Sequence, residues 1–553
     1  MDDTRSSINR RNSALQTERS SFIESWKDLN DYILPRQARF YTTDRNKGDR
    51  RNIRINDSTA TLAAGTLMGG MMGGLTDPSR PWFNLRTVDP DLDQFGPVKQ
   101  WLAIARDRMN EVFLGSNLYT TLPNTYLDLG VFATNAFAVM EDVDKIIHCH
   151  TFPVGSYCLA QNDKGKIDTF YRAYQMTVAQ LVRRFGRDNC SGTVRSLYDR
   201  SSYDAWVEVV HAVETNEDFD PSRLHAKFKK YRSIYMEPAG NDNTLLSESG
   251  FDDFPIMASR WRVLGEDIYG YGPGWDAIGD VKALQVEQKR KMEAIAKQVN
   301  PPMVGPGTLR NTNISVLPGA ITFQDNVAQQ DGLRPTYQVN LNLSDLREDI
   351  NEVQGRIKRC FYEDLFRMLA DIQNGQMTAQ EVAERQQEKM LLLGPVLERL
   401  NDELFDPLID RTFNIMLKHK LFPTPPPELA GLNLNVEYTS IMAQAQKLSG
   451  ISGVQQLCQF TGNLGQADPN AIDKIDFDKT IDIMADMLGV PPQMIRDDKT
   501  VAAIRQQKAQ QQQAQQQMAM AQSAAQTGKT MADTQVTQPS ALSAMMSQLK
   551  GTG

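Results

Sequence analysis

The sequence has few cysteines and histidines for its length. Its 553 residues include five of each, and the cysteines stand far apart at positions 149, 158, 190, 360 and 458. An odd number of widely spaced cysteines is typical of free thiols in a protein assembled in a reducing cytoplasm, and it argues against a disulfide framework. No Ser/His/Asp or Cys/His arrangement for catalysis stands out.

Metal and nucleotide motifs are also missing. In His148-Cys149-His150 the two histidines share one face of a strand while Cys149 takes the other, which does not suit zinc. Gly528-Lys529-Thr530 imitates the end of a phosphate-binding loop, but Ser523 stands where that loop needs glycine. Gly270-x-Gly272-x-Gly274 contains Pro273, which removes a backbone N–H that a phosphate cradle needs. We therefore expect no metal, no cofactor and no enzymatic activity.

The chain has no excess of basic residues. Lys and Arg number 60 against 68 Asp and Glu, which gives a net charge of −8. This balance argues against tight binding of nucleic acid, although a conduit that must not trap DNA would tolerate it. Seven basic residues concentrate between Arg36 and Arg54. They indicate either a solvated face or a contact with DNA or an acidic neighbour.

Long apolar runs are absent as well. Ser58 to Thr76 is uncharged over nineteen residues, but it contains five glycines and little apolar bulk. A helix packed closely under a neighbour and followed by a Gly-rich turn fits this segment better than a membrane span. The charged start, Met1 to Arg5, lacks the apolar core of a signal peptide. We expect no membrane association.

What is present describes a globular protein of several packed units. Hydrophobic residues make up 41% of the chain and charged residues 23%. The periodicity predicts an α+β fold that is predominantly helical. The first helix ends at Pro35 and further helices are centred on 60–72, 98–113 and 122–133. A β-rich subdomain at about 136–262 contains a helix at Val178–Phe185 and ends on a strand at Phe254–Trp261.

Two helices around a loop-rich excursion dominate the centre of the sequence. The first runs from about Asp276 to Val299, and Gln285 and Gln288 interrupt its apolar stripe where a core helix would carry Leu. Asn300-Pro301-Pro302 ends it. Ser344 then caps a second helix, whose apolar stripe is Leu346, Ile350, Val353, Ile357, Phe361, Leu365 and Leu369. By pattern alone, an ordinary αα-hairpin is the better explanation of this arrangement.

The C-terminal third is helical and increasingly polar. Thr378 and Glu381 have capping-box spacing at the start of a long helix that reaches about Lys420, with kinks expected at Gly394-Pro395 and Pro407. A smaller helical unit covers 441–460 and 477–488. The segment from Gln510 to Gln517 has seven Gln around Ala514 and fits a polar helix in an oligomeric barrel or a disordered tail. We expect helix near 501–522 and disorder after it.

Several short blocks in a fixed order resemble one protein family. The blocks are Leu29-Asn30-Asp31-Tyr32-Ile33-Leu34-Pro35-Arg36, Leu75-Thr76-Asp77-Pro78-Ser79-Arg80-Pro81-Trp82-Phe83, the Gly272-Pro273-Gly274 turn, Val299-Asn300-Pro301-Pro302 and Met377-Thr378-Ala379-Gln380-Glu381-Val382. Over about 480 residues they resemble the head-to-tail connecting proteins, or portal proteins, of short-tailed phages. The last sixty residues carry no such block.

The resemblance implies a portal-type organisation. Its parts are a wing (1–274), a first stem helix (275–300), a clip (301–343), a second stem helix (344–370), a tunnel loop (371–377), a long wing helix (378–425), a crown (426–498), and a barrel helix or disordered tail (499–553). Identical copies, by resemblance twelve, would form a homo-oligomeric ring at one vertex of the capsid. Its channel would carry double-stranded DNA during packaging and ejection.

The expected partners follow from the same resemblance. They are terminase, a tail adaptor, and the major capsid and scaffolding proteins, with the protein in the virion and in the host cytoplasm during assembly. The absent phosphate loop argues against a packaging ATPase. A non-enzymatic tail adaptor or internal virion structural protein remains the alternative.

Three groups of candidate site residues complete the prediction. A loop that leaves a channel-lining helix and returns outward must face the lumen, which selects Asp371, Gln373, Asn374 and Gln376 as the narrowest point. The basic residues of the two stem helices, for the channel or the contacts between subunits, are Lys289, Arg290, Lys291, Arg356, Lys358 and Arg359. The clip residues expected to meet the packaging motor or the tail adaptor are Arg310, Asn311, Asn313 and Arg334.

Overall fold

Helices form most of the regular structure. The computed structural model describes residues 4–44, 48–89, 92, 95–239, 245–301, 303–304, 334–335, 343–367, 393–429, 434–439, 454, 457–464, 474–488, 496 and 498–532. The main helices are α1 (Thr4–Tyr32), α2 (Thr59–Leu75), α3 (Gly96–Gly115), α4 (Leu118–Phe132), α5 (Val178–Phe185), α6 (Gly192–Asp199), α7 (Pro273–Val299), α8 (Leu343–Cys360), α9 (Asp406–Lys418), α10 (Phe477–Leu488) and α11 (Asp498–Ala532). Shorter helical stretches lie at 363–367, 393–400 and 457–464.

The strands are concentrated where the sequence predicts them. They are β1 (Phe83–Thr87), β2 (Ala136–Asp142), β3 (Ile146–Phe152), β4 (Tyr157–Gln161), β5 (Ile167–Thr177), β6 (Trp206–Thr215), β7 (Tyr231–Met236), β8 (Ser247–Phe251), β9 (Ile256–Met257), β10 (Met303–Val304), β11 (Arg334–Pro335) and β12 (Leu434–Tyr438). Strands β4 to β8 form an antiparallel five-stranded sheet in sequence order, and β3, β2 and β9 form a second sheet. Strand β1 pairs with β12, and β10 with β11. The predicted mixture of helix and sheet is confirmed.

Helices cover both faces of the five-stranded sheet. Ile8 and Leu15 of α1 are buried against one face. The opposite face meets α5 and α6 at one end. Helix α5 begins with a capping box, in which the side chains of Thr177 and Gln180 cap each other's backbone N–H groups. The alternating apolar residues of β4 to β8 therefore lie in the middle layer of an α/β/α arrangement.

The largest core joins α1, α2, α4, α7 and α8. Glycines permit its closest approaches: a Cβ at Gly274 would lie 2.2 Å from the Val131 carbonyl oxygen at the end of α4. A Cβ at Gly70 of α2 would lie 2.1 Å from the Phe366 ring. The glycines of the Gly-Pro-Gly turn therefore allow the start of α7 to pack closely against α4.

Several predicted boundaries need correction. The expected strand at Phe254–Trp261 is regular only over β9, although Thr134 bridges Arg260 beyond it. The second central helix begins at Leu343, so Ser344 lies inside its first turn, and it breaks at Tyr362, where φ is +57°. The glycines before Leu75 lie within α2 and form no turn. Helix α11 continues to Ala532, beyond the expected start of disorder after residue 522.

The predicted kink near Pro407 corresponds to a π turn at Asn401–Phe405. A π turn replaces the regular bonding pattern and changes where the side chains point. It directs Glu403 toward Arg260, whose side chain is 2% exposed and whose Nη2 lies 2.6 Å from Glu403 Oε1. The Arg260 backbone N–H also donates to Glu403 Oε2 at 2.9 Å. This buried ion pair fastens the helix before α9 to the end of the β-rich subdomain.

Candidate functional site: the stem pair

Helices α7 and α8, called here the stem pair, pack against each other, and α7 also contacts α1. The predicted stripe of α8 is largely confirmed, because Ile350, Val353 and Ile357 are each at most 3% exposed. Phe361 and Leu365 continue this buried row. Leu369, the last predicted member, lies outside the described residues. Apolar packing therefore holds the two helices together in a single subunit.

The two glutamines that interrupt the stripe of α7 make hydrogen bonds within the subunit. Gln285 is 4% exposed, and its Oε1 accepts hydrogen bonds from the backbone N–H groups of Asn56 and Asp57 at 2.5 and 2.8 Å. Its Nε2 donates to the Asp57 carbonyl at 3.0 Å. Gln285 therefore completes the hydrogen bonding of the segment before α2. A leucine here would leave those backbone groups without partners, which explains the polar interruption.

Asp57 connects both helices of the stem pair to α2. Its Oδ2 accepts from Gln288 Nε2 of α7 and from Gln354 Nε2 of α8, each at 2.8 Å. Its Oδ1 accepts from the Thr59 backbone N–H at 2.8 Å. Burial acts to raise the pKa of Asp57, but these hydrogen bonds outweigh it and leave the pKa below its usual value. We call this arrangement the Asp57 fork.

Ion pairs occupy several other polar side chains of the stem pair. Arg356 of α8 lies 3.1 Å from Asp280 of α7 and 3.1 Å from Glu352. Lys282 of α7 pairs with Asp28 of α1 at 2.5 Å. These pairs are partly exposed, so each contributes little to stability and mainly fixes orientation. Arg356, a predicted channel or interface residue, is thus engaged within its own subunit.

Unlike Arg356, the other predicted basic residues of the stem pair form no ion pair within the described part of the subunit. Besides Arg356 they are Lys289, Arg290, Lys291, Lys358 and Arg359. Lys289, Arg290 and Arg359 are exposed, and Lys291 and Lys358 are partly exposed. Within the described part of the chain, none of the five forms an ion pair. Their charges are therefore available to groups outside the subunit.

The distal half of α7 carries an exposed apolar row. Met292, Ile295 and Val299 follow helical spacing and are 52%, 39% and 80% exposed. They continue the stripe that Ala277, Val281 and Leu284 begin, and those three are fully buried. One face of a single helix therefore changes from buried to exposed along its length. We call Met292, Ile295 and Val299 the distal row.

The other predicted site residues fall largely outside the described part. Arg310, Asn311 and Asn313 lie outside it, as do Asp371, Gln373, Asn374 and Gln376. Arg334 belongs to β11 and pairs with Val304 in the β10–β11 ladder. The basic segment at 36–54 is partly neutralised, since Arg51 pairs with Asp44 and Arg54 with Asp31. Because both arginines already have carboxylate partners, these contacts favour a solvated face over a contact with DNA at these two positions.

Sequence reasoning missed the acidic and amide members of the site. Asp57, Asp28 and Asp280 stand in unremarkable sequence, and Gln354 is one polar residue on a polar helix face. The available signal was the pair Gln285 and Gln288 at apolar positions, which indicates polar partners without identifying them. Within the described ranges, no group of three or more His, Cys, Asp or Glu has the arrangement to hold a metal ion.

Among the described residues, no helix is both long and apolar enough to cross a bilayer. Helix α2 covers the segment that the sequence analysis weighed as a membrane span, and its face with Ala63, Ala64 and Leu67 is buried in the core.

All five cysteines are free thiols.

Comparison with known proteins covers nearly the whole chain. The family model described as "Bacteriophage head to tail connecting protein" matches residues 5–495. The portal protein of Salmonella phage epsilon15 is 49% identical over 532 residues, which cover 96% of each chain. The probable portal protein of Bordetella phage BPP-1 is 45% identical over 498 residues, which cover 90% of this chain and 89% of that protein.

Proposed function

Because the chain belongs to the bacteriophage head to tail connecting protein family, we propose that it is a portal subunit. Copies of it form a ring at one capsid vertex and enclose the channel through which double-stranded DNA is packaged and ejected. The high identity to two proteins named as portal or probable portal proteins supports this function. The expected copy number of twelve is part of the proposal.

The distal row carries the proposal of a ring. Three apolar side chains at helical spacing on an exposed helix face would gain at most about 1.5–3 kcal/mol each by full burial. The same face is buried within the subunit nearer the start of α7. A neighbouring copy supplies the missing cover for Met292, Ile295 and Val299. In a closed ring this contact is head-to-tail, so each subunit uses two different surfaces.

The unpaired cations of the stem pair suit a DNA conduit. Lys289, Arg290 and Lys291 follow one another on α7 and point in different directions, so only some of them face the channel. A few such charges guide a duplex weakly and without regard to sequence, and the chain's net charge of −8 argues against tight binding. Asp371, Gln373, Asn374 and Gln376 form the narrowest point in this proposal. Arg310, Asn311, Asn313 and Arg334 meet terminase during packaging and the tail adaptor afterwards.

A pair of substitutions on α7 tests the ring. Ile295→Asp places a carboxylate in the distal row, whereas Val286→Asp places one nine residues away, half a turn around the same helix. Val286 is 48% exposed, so the two sites are matched in size, helix and exposure. Mass photometry of the purified full-length proteins should show rings for the wild type and Val286→Asp, and monomers for Ile295→Asp.

Two results oppose the proposal. Rings of unchanged mass and stability from Ile295→Asp mean that the distal row is not a subunit interface. If the wild-type protein stays monomeric over the whole concentration range, the ring itself is wrong. Unchanged circular dichroism of both variants ensures that the comparison reports assembly and not folding.

The tunnel loop has its own test. Deleting Gln373–Gln376 should leave rings intact and reduce the yield of heads that retain full-length DNA, because the loop no longer contacts the duplex. A normal yield of filled, stable heads would show that the loop is only a connector. The ring assay on the same deletion separates a packaging defect from an assembly defect.

A further inference from the structure

Three polar or aromatic residues lie side by side on one face of the five-stranded sheet. In the strand register Arg172 of β5 is opposite His211 of β6, and His211 is opposite Tyr235 of β7. The rings of His211 and Tyr235 stack at 3.9 Å with an interplanar angle of 3°. The other face of the sheet is the one that α1 covers. This row therefore lies on the side that α5 and α6 cover at one end.

Arg172 has aromatic neighbours but no counterion. Its guanidinium carbon lies 4.7 Å from the ring centre of Phe152 and 4.6 Å from that of Tyr174. Its Nε is buried and has no hydrogen-bond acceptor. Within the described ranges its side chain forms no ion pair. Burial lowers the pKa of Arg172, as expected for a cation that loses water without gaining a carboxylate.

Arg184 of α5 adds a second cation to the row. Its Nη2 donates to Tyr235 Oη at 3.0 Å, and its guanidinium carbon lies 4.8 Å from the Tyr235 ring centre. It too lacks an ion pair with any described residue. Burial and the nearby Arg184 and Arg172 lower the pKa of His211 to about 3, so this imidazole is neutral at pH 7. The cluster therefore carries two positive charges and no negative one.

Several other buried or half-buried arginines of this protein have oxygen acceptors within the chain. Arg19 and Arg411 donate to the backbone carbonyls of Gly155 and Val139, and three others bind carboxylates. Arg260 binds Glu403, Arg51 binds Asp44 and Arg232 binds Glu214. Arg172 is partly buried and its Nε has no acceptor, which is costly, so its missing partner points to a partner outside the chain. Arg184 is exposed and bears no such cost. We name Arg172, Arg184, Tyr174, Tyr235 and Phe152 the arginine–tyrosine cluster.

We propose that the arginine–tyrosine cluster binds the carboxylate of an Asp or Glu side chain from a neighbouring copy of this chain. Aromatic rings that lie against the faces of a guanidinium leave its in-plane N–H groups free to donate. Two such N–H groups match the two oxygens of a carboxylate. Two charges match one or two carboxylates, whereas a DNA duplex needs a longer run of cations. The identity of the donor as a second copy rests on the proposed ring. Acidic residues outnumber basic ones by 68 to 60, so a neighbour offers carboxylates readily.

Substitution of the two arginines tests the contact between copies. Arg183 is exposed and adjacent to Arg184 on α5, so Arg183→Gln is a matched control. Mass photometry over a NaCl series should show that Arg172→Gln and Arg184→Gln weaken assembly about tenfold or more, while Arg183→Gln behaves as wild type. Circular dichroism confirms that each variant is folded. Assembly of both cluster variants at wild-type strength would overturn the proposal.

A chemical readout separates this proposal from the ring itself. Phenylglyoxal modifies accessible arginines, and mass spectrometry measures the extent at each position. Hexaglutamate should slow modification of Arg172 and Arg184 several-fold in the full-length protein without changing Arg183. A short DNA duplex should have no such effect. If the wild type forms no ring, a second copy of the chain is not the source of the carboxylate. Protection of Arg172 and Arg184 by hexaglutamate would still show that the cluster binds carboxylates. Absence of protection, or protection by the duplex alone, overturns the site.

Discussion

The carboxylate of Asp57 accepts a hydrogen bond from Gln354 Nε2 at 2.8 Å, although 297 positions of sequence separate the two residues. Gln288 donates to the same oxygen at the same distance. One carboxylate thus joins three helices: α2, which it precedes, and both members of the stem pair. This fork fixes how the stem pair sits on the rest of the subunit, and its removal should loosen that junction.

Replacing Asp57 by Asn is expected to destabilise the subunit. The substitution removes one acceptor oxygen and places an N–H₂ group against either the Thr59 N–H or the two glutamine donors, which costs about 1–3 kcal/mol. Urea unfolding of the full-length protein at neutral pH measures this loss. Asp163→Asn is the control, because Asp163 is exposed and its side chain makes no hydrogen bond within the described part. Equal unfolding midpoints for the two variants would mean that the fork contributes nothing.

The pH dependence of the fork has a definite sign. The pKa of Asp57 lies below its ordinary value of 3.8 in the folded protein. The ionised carboxylate therefore stabilises the fold above that ordinary pKa, and the stabilisation is lost as the pH falls toward the folded pKa. Below pH 3.8 the wild type should lose this contribution, and Asp57→Asn should lack that part of the acid transition.

Asp128 should make the free energy of unfolding change with pH in the opposite direction. It is fully buried, and its oxygens accept from Gln37 and Asn135, each at 3.0 Å. Burial nevertheless raises the pKa of Asp128 to about 8 from an ordinary 3.8. Between those values the folded state holds a proton that the unfolded state releases, so this group lowers the free energy of unfolding by about 1.4 kcal/mol per pH unit as pH rises.

Asp128→Asn should therefore flatten the stability profile and raise stability near pH 8. The amide of Asn135 must then reorient to accept from the new N–H₂, and its Oδ1 is available because it has no partner. Urea unfolding of both proteins at several pH values gives the two slopes. Parallel slopes would show that Asp128 is ionised in the folded protein at neutral pH.

Ile357 tests the packing of the stem pair. Its side chain is fully buried in the core that joins α7 and α8. Ile357→Asp buries a charge without a partner and should cost about 3 kcal/mol or more. Size-exclusion chromatography with light scattering should show lost or aggregated assemblies. Val143→Asp, at a fully exposed turn, is the matched control. If Ile357→Asp forms normal assemblies, the packing of the stem pair is not required for the structure of the subunit.

Local patterns predict the elements better than they predict their partners. The stripe of Ile350, Val353 and Ile357 is visible because its period matches a helix, and burial follows directly. The role of Gln285 is not visible, because its partners Asn56 and Asp57 lie more than 200 positions away. A period of 3.6 shows which face is apolar but not which backbone groups a polar residue will satisfy.

Long-range packing also decides the details that the sequence analysis missed. Tyr362, two residues beyond the end of α8, has a positive φ, which a non-glycine residue adopts only when its surroundings impose it. Its ring lies 6.0 Å from that of Trp261, a residue of the preceding subdomain. Arg172 has no unusual sequence context, and its missing counterion emerges only when β3, β5 and α5 are assembled. The tunnel and clip residues remain predictions of the family resemblance.

Electron microscopy of the purified full-length protein tests the central claim most directly. Two-dimensional class averages count the subunits and show whether a channel is present. A portal subunit should give closed rings with a central channel wide enough for a DNA duplex, about 20 Å or more across. Twelve-fold symmetry would confirm the proposed copy number. Monomers or rods under conditions where the protein is folded would contradict the portal assignment and favour a tail adaptor or an internal virion protein.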